Sequence, residues 1–363
     1  MLEVGIIGLP NVGKSTLLNA LAGAHARVSD FPFCTIEPNK AQAPLPDQRL
    51  NRVAEIFGQK TAIPAAITFV DIAGLVRGAS RGEGLGNQFL SHVRNADALL
   101  HVVRCFPAEG VSHVEGTLDA ARDAETVDIE LALADLGAVQ RRLERLAPKI
   151  RMRAKEALAE EEPLRRLAGP LNAGRPVRSL SLSDDEMQVV QELALLTAKP
   201  VLYIANMPDP ADDQARALAV SLENYAQARQ APVLAIAAKT EADLADLPEQ
   251  ERQEYIEGLG LSAGSLERVI KASYELLHLI TFFTAVGKEA RAWPIVEGST
   301  VHQAAGKVHT DLAEGFIRAE VADFAALDRL GSWEEALRQG LVRIEGRDYI
   351  VHDGDVIHIR FHV

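Results

Sequence analysis

The sequence predicts an α/β fold: a mostly parallel sheet flanked by helices, interrupted by an inserted antiparallel helical arm and followed by a small α+β domain. Three observations carry this. Apolar runs of strand length alternate with helical patterns over the first two thirds of the chain. A glycine- and lysine-containing loop sits between the first such run and the first helix. Near residue 278 the character changes to short strands with one helix and an Asp-Gly turn.

The first strand is expected over the apolar run Leu2 to Ile7 and the first helix over Thr16 to Ala22. Between them, Gly8-Leu9-Pro10-Asn11-Val12-Gly13-Lys14-Ser15-Thr16 fits G-x-x-x-x-G-K-[ST] in the strand–loop–helix context that this phosphate-binding loop requires. Gly8 and Gly13 let the backbone wrap with its N–H groups turned inward, and the helix start adds its positive end. Lys14 is then the group that reaches the outer phosphates, and the Ser15 hydroxyl is a candidate Mg²⁺ ligand.

Asp30 to Asn39 holds Pro32 and Pro38 and reads as loop, with Thr35 as the threonine expected to close over Mg²⁺ and the γ-phosphate. A buried strand from Ile67 ends in Asp71-Ile72-Ala73-Gly74. In this D-x-x-G pattern Asp71 holds a Mg²⁺-bound water and the Gly74 N–H meets the γ-phosphate. Gly78, Gly82, Gly84 and Gly86 follow closely, a composition suited to a segment ordered by that phosphate.

Further strands are expected at Ala98 to Val103, Val201 to Asn206 and Val233 to Ala237. After the second of these, Asn206-Met207-Pro208-Asp209 stands where guanine-binding proteins carry N-K-x-D. Ala237-Ala238-Lys239 stands in the place of the second base-contacting loop.

Residues 128–196 interrupt the pattern. Ile129, Leu133, Leu136, Leu143, Ile150 and Leu158 approximate a helical stripe, and Met187, Val190, Leu193 and Ala194 suggest the returning helix. Pro148 is expected to kink or break the first helix, and Gly169 to Pro176 to form a turn or linker. From Arg141 to Lys155 seven cations stand against one acid, Glu144. Beyond Ser265, a helix leads into strands near Ile280–Thr284, Phe316–Val321, Leu341–Ile344, Asp348–Val351 and Val356–Phe361, with a helix near His302 to Gly315 and an Asp-Gly hairpin at Asp353-Gly354.

The whole chain has 363 residues with 38 Lys and Arg against 51 Asp and Glu, a net charge of −13, which argues against a general nucleic-acid binder but leaves room for a local basic patch. Cys34 and Cys105 alone make neither a disulfide framework nor a zinc site and fit a reducing cytoplasm. No membrane span or signal peptide is expected.

Taken together, the stretches GLPNVGKST (8–16), FPFCTIEPN (31–39), DIAGLVRGASRGEGLGNQFL (71–90), ELALADL (130–136), HQAAGKVHTDLAEGFIRAEV (302–321) and DYIVHDGDVIHIRF (348–361) resemble the Obg-like ATPases of the YchF type, end to end. The resemblance implies a TRAFAC-class, Ras-like P-loop NTPase (Obg-type G domain) over 1–127 and 197–277, a coiled-coil arm over 128–196, and a C-terminal TGS domain of β-grasp fold over 278–363. It further implies hydrolysis of ATP rather than GTP with Mg²⁺, and association with ribosomes or the large subunit through rRNA contacts of the basic arm and TGS domain. A cytoplasmic monomer under redox control is expected.

Carried over residue by residue, Asn11, Val12, Gly13, Lys14, Ser15 and Thr16 match the family's phosphate loop, and Ser15 and Thr35 its Mg²⁺ ligands. Met207 matches the apolar residue beside adenine, Cys34 the redox-linked cysteine, and His113 a histidine proposed to help hydrolysis. The chain departs from the pattern at Asp209, where the family usually has Glu, and at Pro148. Leu75, after D-x-x-G, has no polar atom to orient water, so another group must. One option for assisting hydrolysis is potassium held through Asn11 near the phosphates, where its charge acts much as an arginine finger does; the alternative is that Asn11 only braces its loop. Three activities are carried forward: a slow ATPase switch, a GTPase of the same fold, and a ribosome- or RNA-binding module in which nucleotide only sets conformation.

Overall fold

A computed structural model describes residues 2–28, 39–72, 85–107, 116–245 and 264–362, with 247, 248, 251 and 254. The strands of the nucleotide region are β1 (Glu3–Ile7), β2 (Lys40–Pro44), β4 (Ala66–Asp71), β5 (Ala98–Arg104), β6 (Val201–Asn206) and β7 (Val233–Ile236), with β3 (Thr61–Ile63) placed elsewhere. They form one sheet in the order β2-β4-β1-β5-β6-β7. β4, β1, β5, β6 and β7 pair in parallel. Every residue of β5 and β6 is buried, which is why both read as near-continuous apolar runs, interrupted by His101 and ended by Arg104 and Asn206, rather than alternating ones.

β1 lies between β4 on one side and β5 on the other. The loop after β1 therefore emerges where the strand order reverses, at the carboxyl edge of the sheet, where such folds bind ligands. Helix α1 (Lys14–Val28) follows that loop, burying Leu17, Leu18 and Leu21. Helices α2 (Gln48–Ile56) and α3 (Leu85–Asn95) come next in the chain.

The arm differs from its sequence reading in three ways. Helix α4 (Ala120–Arg151) runs through Pro148 without breaking, because the proline sits in its last turn, where little helix remains to disturb. The returning helix is α5 (Lys155–Asn172), earlier than expected, and it too contains prolines, Pro163 and Pro170. The stretch expected to return, α6 (Asp184–Leu193), is a third helix with a Ser183/Glu186 capping box. The packed seam joins Ala132, Leu136, Val139 and Leu146 to Ala157, Leu164, Leu167 and Leu171, whereas Ile129 and Leu133 are exposed. Helices α7 (Asp213–Gln227), α8 (Ala238–Ala245) and α9 (Ser265–Leu276) complete the region.

By contact density the chain divides into two units, one holding Thr68–Val269 with the chain start, the other Gln42–Ile67 with Ile270–Val363. The second unit has its own sheet, in the order β11-β10-β12-β8-β9-β3. Its strands are β8 (Leu279–Val286), β9 (Glu289–Val296), β10 (Phe316–Asp323), β11 (Arg343–Glu345) and β12 (Asp355–Phe361). Adjacent Phe282 and Phe283 point to opposite faces. Phe282 packs with Val301, Ala304 and Val321, which draws in α10 (Val301–Val308) and α11 (Thr310–Glu314). Phe283 packs with Val53, Leu327 and Trp333, which draws in α2, α12 (Phe324–Leu330) and α13 (Trp333–Arg338).

Segment 45–65, between β2 and β4 and expected within the nucleotide domain, therefore belongs to the second core. The reason is that α2 buries Leu50, Val53 and Ala54 there, and β3 pairs in parallel with β9. The expected Asp-Gly hairpin is also absent. Asp353-Gly354 is a turn, β12 pairs with β10 and β8, and Ile350 makes only an isolated bridge to Thr300.

Candidate functional site

The loop after β1 takes its shape from three positive-φ residues, Gly8 (148°), Asn11 (63°) and Gly13 (99°). At both glycines the backbone also approaches a neighbour too closely for a side chain. A Cβ on Gly8 would lie 2.3 Å from the Val102 carbonyl oxygen, and one on Gly13 would lie 2.2 Å from Asn206 Nδ2. The loop is thus pressed against β5 and the end of β6. Lys14, 8% exposed, turns its ammonium onto the loop's own carbonyls, Nζ donating to Leu9 O at 2.8 Å and to Gly8 O at 3.2 Å. Burial lowers its pKa, and the nearby Asp71 charge opposes that shift.

Ser15 and Asp71 meet: the Ser15 hydroxyl donates to Asp71 Oδ2 at 2.5 Å. The other carboxylate oxygen, Oδ1, is buried and has no hydrogen-bond partner among the described residues. A hydroxyl and a carboxylate beside a phosphate loop, with one buried oxygen unanswered, fit a Mg²⁺ ion. That ion takes few protein ligands and completes its shell with water and phosphate.

Asn206 departs from its expected part. Its Nδ2 donates to Val12 O at 2.9 Å and its Oδ1 accepts from the Ala238 N–H at 3.1 Å. The amide is engaged in tying the phosphate loop to the second base loop, with both its donor and its acceptor used there rather than on a base. Met207 is half-buried, its N–H bonded to Ile236 O at 2.8 Å; Asp209 and Lys239 are exposed, Ala237 is half-buried and Ala238 buried. Val12 is buried, Thr16 is half-buried and Asn11 is exposed. Thr35, Cys34, Gly74, Leu75 and His113 lie outside the described residues.

Two buried carboxylates that sequence reasoning passed over fix the arm to this sheet. Asp128 accepts from Tyr203 Oη (2.5 Å), Tyr225 Oη (2.9 Å) and Arg178 Nη2 (3.1 Å). Burial favours its neutral form, but Arg178, His101 and the two tyrosines outweigh that and hold the carboxyl below its usual range. Two helical turns on, Asp135 accepts from the Leu196 and Thr197 N–H groups and the Thr197 hydroxyl, and burial raises its pKa. Tyr203 lies in register with His101, which is in register with Ile7 at the foot of the phosphate loop. The available signal was the seven-residue spacing of the two acids within an otherwise apolar helix face.

A parallel sheet with a phosphate loop at its reversal point, and a paired hydroxyl and carboxylate beside that loop, define a P-loop nucleotide-binding protein. Residues 3–135 match the model of the 50S ribosome-binding GTPase family, and residues 279–362 match a C-terminal YchF-GTPase family described as protein of unknown function. The chain is 43% identical to the ribosome-binding ATPase YchF of Bacillus subtilis, covering 100% of both chains. It is 46% identical to the protein of that name from Escherichia coli O157:H7 over 99% of both. A solved structure of the Schizosaccharomyces pombe YchF GTPase superposes with a TM-score of 0.85 at 32% identity, covering 99% of this chain and 97% of that one. The chain belongs to the YchF family.

Proposed function

We propose that this protein is a slow, ribosome-associated ATPase switch that hydrolyses ATP to ADP and phosphate. The observation that carries the hydrolytic part is the Ser15–Asp71 contact with its unanswered Asp71 Oδ1, set beside Lys14. Mg²⁺, when bound, would neutralise phosphate charge. Ser15 and Thr35 would be its direct ligands and Asp71 would hold one of its waters. Lys14 exchanges the Gly8 and Leu9 carbonyls for phosphate oxygens, and the loop N–H groups from Asn11 to Thr16 complete the cradle. Thr35 and Gly74 close on the γ-phosphate. Leu75 cannot orient the attacking water, and His113 is the candidate for helping hydrolysis; a potassium ion held through Asn11 would add positive charge at the phosphates, the alternative being that Asn11 only braces its loop.

Met207 supports adenine: its half-buried thioether lies where N-K-x-D proteins place a lysine, and a thioether packs flat against a purine. The curated relatives are named ATPases, while the fission-yeast structure is of a protein called a GTPase. Exposed Asp209 favours the second reading, a GTPase, because a carboxylate at that spacing accepts from guanine. The commitment is to ATP with incomplete rejection of GTP. Turnover with each nucleotide at matched subsaturating concentration tests it, and GTP hydrolysed about tenfold faster or more would overturn it.

Ribosome association is assigned to the arm (128–196) and the C-terminal TGS domain (278–363), through rRNA. The supporting observation is a dense run of cations in a chain of net charge −13. A third reading, an RNA-binding module in which nucleotide only sets shape, predicts full ribosome binding by Lys14→Ala. Among the described residues no helix is long and apolar enough to cross a membrane. A cytoplasmic monomer is part of the proposal.

A further inference from the structure

Three residues, Met152 to Ala154, join α4 to α5 at the end of the arm. Met152 is 82% exposed, the most exposed large apolar side chain among the described residues. Arg153 beside it has φ 56°, a left-handed conformation that glycine or asparagine would adopt at less cost. A turn selected only to reverse the chain would carry such residues and a polar tip.

The cations around this turn divide into two kinds. Arg142 faces inward and is paired with Glu160, its Nη2 donating to Oε2 at 3.0 Å, with Glu192 at 3.8 Å. Arg141, Arg145 and Lys149 follow one another at four-residue spacing, so they form one stripe along the outer face of α4. Arg151, Arg153 and Lys155 continue it around the tip. All six are exposed, and among the described residues none has an ion pair or side-chain hydrogen bond. Glu144 and Glu156 dilute them within the run, and Glu160, Glu161 and Glu162 follow on α5, where Glu160 is taken by Arg142 and Glu161 pairs with Arg165. Their charge is available to a partner.

We propose that the turn 149–155 is an RNA-reading tip: Met152 lies against the face of an unstacked base in a single-stranded loop while the surrounding cations grip the flanking phosphates. This rests on the reading above that the arm contacts rRNA, and adds which part does so and what it recognises. Duplex RNA offers a helical hairpin little entry, because its major groove is deep and narrow. Loops present splayed bases to apolar and aromatic side chains. A thioether is polarisable and tolerates any base, so the contact is sequence-tolerant. An acidic protein surface would satisfy the charges equally but gives no part to a protruding methionine.

The two kinds of contact leave different thermodynamic signatures, which is the basis of the test. Full-length protein is titrated with an RNA stem–loop carrying an open loop of about eight nucleotides, and with a blunt duplex of the same composition, over a range of salt. Met152→Ala is expected to weaken stem–loop binding by about fivefold to a hundredfold, with the salt slope and the duplex affinity unchanged. Met152→Phe, which supplies a stacking ring, is expected to restore it. Lys149→Ala and Arg151→Ala should each flatten the slope by about 0.7 on the single-stranded probe. Equal binding by Met152→Ala and wild type, or equal loss on both probes, would overturn the tip while leaving salt-dependent RNA binding by the arm intact. Absence of salt-dependent RNA binding in the wild type would remove the underlying reading as well. Loss of ribosome binding by Met152→Ala with naked RNA binding unaffected would make the partner a protein and overturn the proposal. Met152 is exposed, so its replacement leaves the fold unperturbed.

Discussion

The Asn206 side chain and the Val12 carbonyl are joined by a 2.9 Å hydrogen bond across 194 residues of sequence, and the same amide accepts from Ala238 at 3.1 Å. One buried side chain thus holds three loops together, 4% exposed and packed against Gly13. Asn206→Ala leaves Val12 O and the Ala238 N–H without this partner. Such losses cost about 1–3 kcal/mol per buried group. The expected outcome is a lowered melting temperature and nucleotide binding weakened for ATP and GTP alike. Selective loss of one nucleotide would show instead that Asn206 reads the base.

Lys14→Ala and Ser15→Ala are expected to abolish hydrolysis, the first by removing phosphate charge neutralisation, the second by removing a Mg²⁺ ligand. Lys14→Ala should also free Gly8 O and Leu9 O from the ammonium that now occupies them. Phosphate release assayed with excess Mg²⁺ is the measurement, and wild-type turnover in either variant contradicts the site.

Asp209→Glu is expected to raise the ratio of ATP to GTP turnover. The longer carboxylate no longer suits the two donors of guanine, while Met207 continues to pack on either purine. A ratio that falls would mean that Asp209 helps to bind adenine.

The two cysteines should differ in reactivity. Cys105 is fully buried at the end of β5, where burial, reinforced by the Asp123 charge, pushes its thiol up to about 12. It has almost no thiolate at neutral pH and is expected to resist alkylation in the folded protein. Peroxide inhibition is accordingly expected to disappear in Cys34→Ser and to persist in Cys105→Ser. The reverse pattern would locate the sensitive thiol in the core.

Glu241 supplies a pH dependence of stability. Burial, with Asp209 and Glu267 adding and Arg268 opposing, pushes its carboxyl up from 4.5 to about 7, and the Ser265 hydroxyl donates to it. Between those values the folded chain keeps a proton that the unfolded chain releases. This contribution is therefore full below pH 4.5 and is lost as pH rises through 7. Glu241→Gln, which cannot ionise, is expected to flatten the melting temperature across that window. An unchanged slope would exclude Glu241 as its source.

Much of the nucleotide region was legible in the residues alone. The phosphate loop is local: its glycines, lysine and serine must be adjacent in sequence because they wrap one phosphate group. Asp71 was legible because it ends an apolar strand, and β5 and β6 because a strand buried on both faces is mostly apolar, even with His101 inside β5 and Arg104 and Asn206 at the ends. The arm's existence was legible from its helical period, but its seam was not. Ile129 and Leu133 have the right spacing and face solvent, while Pro163 and Pro170 disguised the helix that packs against α4.

Other features were decided only when the chain closed on itself. Nothing in the spacing of Leu50, Val53 and Ala54 says which apolar surface they will meet, and they meet Phe283 and Trp333 rather than the sheet next to them in sequence. An aspartate on a helix reads as a solvated charge until Tyr203, Tyr225 and Arg178 are brought to it, as they are to Asp128. Asn206 reads as a base contact until Val12 and Ala238 occupy its amide. In each case the deciding partner is tens to hundreds of residues away. Periodicity and motif record what a residue can bond to; only the tertiary structure selects which of those partners is within 3 Å or so.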